Sequence, residues 1–145
     1  MAPTERIWSV AKATIEGKPI IYKFIADAPP LNIQHTMPWL TVISWKYEAA
    51  QNNGLPPARI NKEMIRLEDG LETIGGNGSV YLDAYTATGN GLKEFVYYIA
   101  DREAFMANLN QALSDHPAYP IEINFYEDPE WSDLAKLHQS MSTVH

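Results

Sequence analysis

Apolar and polar residues alternate strictly near the C-terminal end of the chain. Ile121, Ile123 and Phe125 fall on one side of an extended backbone and Glu122, Asn124 and Tyr126 on the other. That is the two-residue period of a strand with one buried face. The strand runs directly into Asp128-Pro129-Glu130-Trp131-Ser132. Asp128 suits an N-cap, Pro129 the first helical position, and Glu130 the first turn beside the positive helix end. A last helix is therefore expected from Pro129, with Trp131 as a buried anchor.

Other segments show one period or the other. Ile7 to Thr14 and Pro19 to Ile25 read as a hairpin turned by Glu16-Gly17-Lys18, where glycine can take positive φ. Asp27-Ala28-Pro29-Pro30 breaks the pattern and reads as a loop. Trp39 to Glu48, rich in aromatic and β-branched residues, is the third strand. Ile60, Met64, Leu67, Leu71 and Ile74 then recur at intervals of three and four, which marks one face of a helix. Gly75-Gly76 and Asn77-Gly78 stop it, while Gly70 lies inside it at a cost of about 1 kcal/mol relative to Ala. Ser79 to Ala87 and Leu92 to Ala100 form a second hairpin around Thr88-Gly89-Asn90-Gly91. Asp101 caps a helix lined by Phe105, Leu109 and Leu113, which His116-Pro117 ends.

The resulting order, β-β-β-α-β-β-α-β-α, predicts one α+β domain over residues 1–145. Its centre is the ferredoxin-like β-α-β-β-α-β arrangement, preceded by a β-hairpin and followed by a C-terminal helix. Right-handed crossovers place the two central helices on one face of an antiparallel sheet.

Composition narrows the functions. The formal net charge of −7 argues against nucleic acid, which needs clustered cations, and suits a basic protein partner. With no cysteine, thiol catalysis, disulfides and thiolate metal sites are excluded. The N-terminal residues lack the basic and apolar pattern of a signal peptide, and no apolar run is long enough for a bilayer, so no membrane association and a cytoplasmic location are expected.

Trp8, Glu16-Gly17-Lys18-Pro19, Gly54-Leu55-Pro56, Leu67-Glu68-Asp69, Glu94-Phe95-Val96-Tyr97-Tyr98 and Asp128-Pro129-Glu130-Trp131-Ser132 occur in an order that resembles an uncharacterised bacterial family, that of the domain of unknown function numbered 695. That family is distantly similar to regulator of ribonuclease activity B, an acidic protein with a ferredoxin-like core that binds and inhibits a ribonuclease. The resemblance implies an acidic interaction module. Related proteins often carry an aromatic within two residues of the Trp-Ser pair, where this chain has Asp133 and Leu134.

The catalytic inventory is thin. Of the four histidines, none lies three or four residues from another, so no helical metal pair exists and no cofactor is implied. His116 reads as a helix-end residue, His35 as a solvated loop residue, and Glu127, Asp128 and Glu130 as capping groups. Gly75-Gly76-Asn77-Gly78 follows a helix instead of opening one, unlike a phosphate loop. No serine sits in a nucleophile elbow. An enzyme is therefore the weakest reading. The aromatics form the larger constellation. Alternation puts Trp39, Ile43, Trp45 and Tyr47 on one face of the third strand, and Tyr81, Asp83 and Tyr85 on one face of the next, with Tyr126 joining. If the N-terminal hairpin or the last helix leaves that face open, Trp45, Tyr47 and Tyr85 become anchors for a protein partner. A small-ligand sensor with a pocket between sheet and helix is the second reading.

Overall fold

A computed structural model describes residues 8–48, 54–74 and 81–142. Six strands form one sheet: β1 (Trp8–Ile15), β2 (Lys18–Ile25), β3 (Trp39–Lys46), β4 (Tyr81–Gly89), β5 (Leu92–Ile99) and β6 (Ile121–Glu127). Their spatial order is β1-β2-β4-β5-β3-β6, and every neighbouring pair is antiparallel. Among the described residues four helices accompany the sheet: α1 (Leu31–Gln34), α2 (Ala58–Leu71), α3 (Arg102–Ala112) and α4 (Ser132–Ser142).

The helices divide between the two sheet faces. Met64, Leu67 and Leu71 of α2, Ile74 beyond its end, and Phe105 and Leu109 of α3 pack on Ile43, Trp45, Phe95, Tyr97 and Ile99. The two crossover helices thus share one face. Trp131 and Leu134, at the start of α4, pack with Met37, Leu40, Leu82, Ala84, Val96 and Tyr98 on the other. Both faces of the central strands are therefore covered, which explains why β5 reads as a continuous apolar run instead of an alternating one.

Gly70 has its reason in the packing of α2 on the end of α3. A Cβ on Gly70 would lie 2.8 Å from His116 Cε1 and 2.8 Å from Leu113 Cδ2. The missing side chain lets the two elements approach, and that approach offsets the loss of helix propensity.

Four expectations need correction. The expected order lacks one element: residues 27–30 form a loop, but Leu31–Gln34 then makes a helical turn with His35 as its C-cap. Pairing of Ile21–Phe24 with Tyr85–Thr88 makes the N-terminal hairpin extend the sheet instead of covering it. The last helix begins at Ser132, not Pro129, because Trp131 takes a left-handed φ of 55° that no helix continues through. A β-bulge between Asp83 and Tyr85 inserts Ala84 and separates Tyr81 from Tyr85. Tyr81 packs in the α2–α3 core and Tyr85 against the α4 core. Period-two counting fails across the bulge because one added residue reverses the alternation. The glycine run at 75–78, the first residues of both predicted hairpins and His145 lie outside the described residues.

Candidate functional site

The three proposed anchors do not share a surface. Trp45 is 1% exposed and lies under α2 and α3, its ring 5.4 Å from that of Tyr119. The face that carries Trp45 is covered by the crossover helices, not by the N-terminal hairpin or the last helix. Tyr47, just beyond β3, is a clamp. Its amide donates to the Gly91 carbonyl at 2.9 Å and its hydroxyl donates to the Gly54 carbonyl at 2.6 Å. Gly91 in turn donates to Gly54 at 3.1 Å, tying the turn between β4 and β5 to the loop before α2. Tyr85 lies on the opposite face, where its hydroxyl donates to Asp133 Oδ2 at 2.6 Å. Tyr126, 52% exposed, pairs with Leu40 and so belongs to the α4 face.

The α4 face gathers most of the polar chemistry. Trp131 stacks on Tyr98 with centroids 3.9 Å apart and planes 8° from parallel. The Trp131 indole N–H donates to the carbonyls of Gln34 and Met37, at 3.1 and 3.0 Å. Asp128 accepts from the amides of Ser132 at 2.8 Å and Asp133 at 3.0 Å, and from the Tyr98 hydroxyl at 2.7 Å. Asp128 caps α4, as its sequence context suggests, but from a turn further back, not onto Glu130 and Trp131. Burial, then the bond to Asp133, pushes the Tyr85 phenol well above its ordinary value, so it remains a donor. Burial, then the Asp133 charge, raises Glu94. His138 donates from Nε2 to the Ile25 carbonyl at 2.8 Å, since a carbonyl can only accept.

These bonds attach α4 to the sheet. The hydroxyl groups of Tyr85 and Tyr98 each donate to a carboxylate, of Asp133 and Asp128 respectively. Among the described residues no group of three or more His, Asp or Glu is placed to hold a metal ion. His116 binds locally, its Nδ1 2.6 Å from the Tyr119 hydroxyl, and His35 is exposed.

A different region offers open binding space. A depression of about 440 Å³ lies where α2 begins, lined by Ile21, Leu55, Pro56, Ala58, Asn61, Thr88 and Lys93. A second, of about 410 Å³, is lined by Ala58, Arg59, Asn61, Lys62 and Ile65. Ala58 and Asn61 belong to both, so the two flank the first turns of α2. Leu55-Pro56-Pro57 builds the approach, and Pro57 occupies the N-cap with no side-chain hydrogen bond to the helix. Half-buried Lys93 lies with its Nζ 5.4 Å from the centre of the Phe95 ring. Burial lowers the Lys93 pKa, Glu68 opposes the shift and Lys23 adds to it. Sequence reasoning missed this groove, because Ile21, Thr88 and Lys93 meet α2 only through strand pairing. The available signal was an apolar Leu-Pro-Pro approach followed by Arg59 and Lys62 on the polar face of a helix.

No helix among the described residues is long and apolar enough to cross a membrane. No curated protein and no solved structure gives a significant match to the chain. The model of the family of unknown function DUF695 matches residues 6–136, and the chain belongs to that family.

Proposed function

We propose that this chain is a non-catalytic, cytoplasmic module that recognises a protein partner, built on a ferredoxin-like core made by β3 to β6 with α2 and α3. The sheet order β4-β5-β3-β6 and the paired crossover helices support the core assignment. The observation that carries the function is the apolar, solvent-open groove beside α2, on a molecule whose other hydroxyl–carboxylate pairs hold α4 in place. The distant resemblance to regulator of ribonuclease activity B, expected from the sequence motifs alone, would favour the same reading. Net charge alone suggests a basic partner. Recognition, however, answers to local potential, and the groove is locally cationic.

Affinity capture followed by purification tests the proposal. A protein enriched on the wild-type chain over its Ile65→Glu variant should rebind the purified chain in calorimetry at a defined stoichiometry. If no captured protein rebinds, the reading is wrong. The depression of about 440 Å³ is also within the size range of small-molecule sites. Thermal shifts against a metabolite panel examine that second reading, which a stabilising compound without a rebinding protein would favour.

A further inference from the structure

We propose that the groove flanking the first turns of α2 docks an acidic segment of a partner protein, with an apolar side chain seated beside Ile21, Pro56 and Ala58 and carboxylates facing Arg59, Lys62 and Lys93. This rests on the protein-binding reading and adds the site and the chemistry of its occupant.

Charge is the first argument. The chain has 18 acidic and 11 basic residues, so a random surface patch is net acidic. Among the described residues, the side chains lining the two depressions include Arg59, Lys62 and Lys93 and no carboxylate, the Glu68 charge acting on Lys93 from outside the lining. A local reversal of sign selects the opposite charge in a partner and speeds encounter. The uncapped first turn of α2 adds its outward amides to the same potential.

Shape is the second. A small ligand is usually enclosed over most of its surface, whereas both depressions open widely to solvent. They share Ala58 and Asn61 as lining residues, and exposed Ile65 lines the outer one. Such a surface suits an extended segment that places one apolar anchor and lays charged neighbours along a rim.

The test uses three probes on the full chain, followed by amide NMR titration. One is a ten-residue peptide with two Leu among Glu, one the same peptide with Lys for Glu, and one octanoate. The Glu peptide should shift the amides of Ile21, Leu55, Ala58, Thr88 and Lys93, with affinity falling as salt rises. Arg59→Glu combined with Lys62→Glu should weaken it on the order of tenfold, as expected for reversing two rim charges. Both residues are exposed, so the fold should persist, and an unchanged thermal midpoint checks this. Equal binding of the Lys peptide, or shifts centred on α4, would overturn the inference. Octanoate binding as tightly at the same amides would replace the peptide with a small anion. A captured partner that still binds the Arg59→Glu/Lys62→Glu variant refutes the groove while leaving the protein-binding reading intact.

Discussion

Three positions show what a single side chain contributes here. Gly70→Ala gains about 1 kcal/mol of helix propensity but forces a methyl to within 2.8 Å of His116 and Leu113. Overpacking typically costs about 1–3 kcal/mol. Urea melts should therefore show a net loss of about 1 kcal/mol, recovered in part when Leu113→Ala makes room. Trp131→Ala should cost about 3–5 kcal/mol, because it removes a 1%-exposed ring stacked on Tyr98 and leaves two carbonyls without their indole donor. A loss below about 1 kcal/mol in denaturant would contradict that role. Thr41 is fully buried, and its hydroxyl has no hydrogen-bond partner among the described residues. Thr41→Val keeps the shape and removes the unsatisfied group, so it should stabilise by about 1 kcal/mol; a destabilised variant would reveal a bond the geometry does not show.

At the scale of elements, the attachment of α4 depends on Asp128. Burial pushes its carboxyl upward, but the amides of Asp133 and Ser132 and the Tyr98 hydroxyl outweigh burial and hold it below the ordinary range. A folded pKa below the unfolded one gives stability that is full above about 3.9 and fades as pH falls through the lower folded value. Asp128→Ala should cost about 0.5–2 kcal/mol at neutral pH. The gap between wild type and variant should close on acidification into that window, as followed by circular dichroism melts. A gap that stays constant down to the acid end would mean that the carboxylate's charge is irrelevant. Glu94 works in the opposite sense, since burial raises it, and its ionisation weakens the fold as pH rises. Measuring the difference between the two chains isolates Asp128 from it.

For the whole molecule, stability should be graded across the sheet. β5 is paired on both sides and covered on both faces, with Phe95 to Ile99 all buried. β1 is an outer strand with Val10 71% exposed, joined to the rest through β2, whose pairing to β4 covers Ile21–Phe24. Native-state hydrogen exchange should find the β5 amides opening only with global unfolding, and those of β1 at a distinctly lower free energy. Equal protection in both strands would show that the hairpin unfolds with the core as one unit.

Much of this was legible in the chain, because local periodicity is a local property. The strands around Trp39–Lys46 and Ile121–Glu127, the α2 stripe of Met64, Leu67 and Leu71, and both hairpin turns follow from spacing and turn chemistry. Burial of Trp131 and capping by Asp128 also follow from residue type in context. The start of α4 did not, because the left-handed turn at Trp131 is set by a pocket made of Tyr98, Gln34 and Met37, residues distant in sequence. The separation of Tyr81 from Tyr85 depended on a single bulged residue that leaves no periodic trace. Which face Trp45 occupies was decided by where α2 and α3 pack, and the reason for Gly70 by where α3 ends. The groove belongs to tertiary structure for the same cause: strand order brings Ile21, Thr88 and Lys93 beside α2, and the order in which strands pair is written in no single segment.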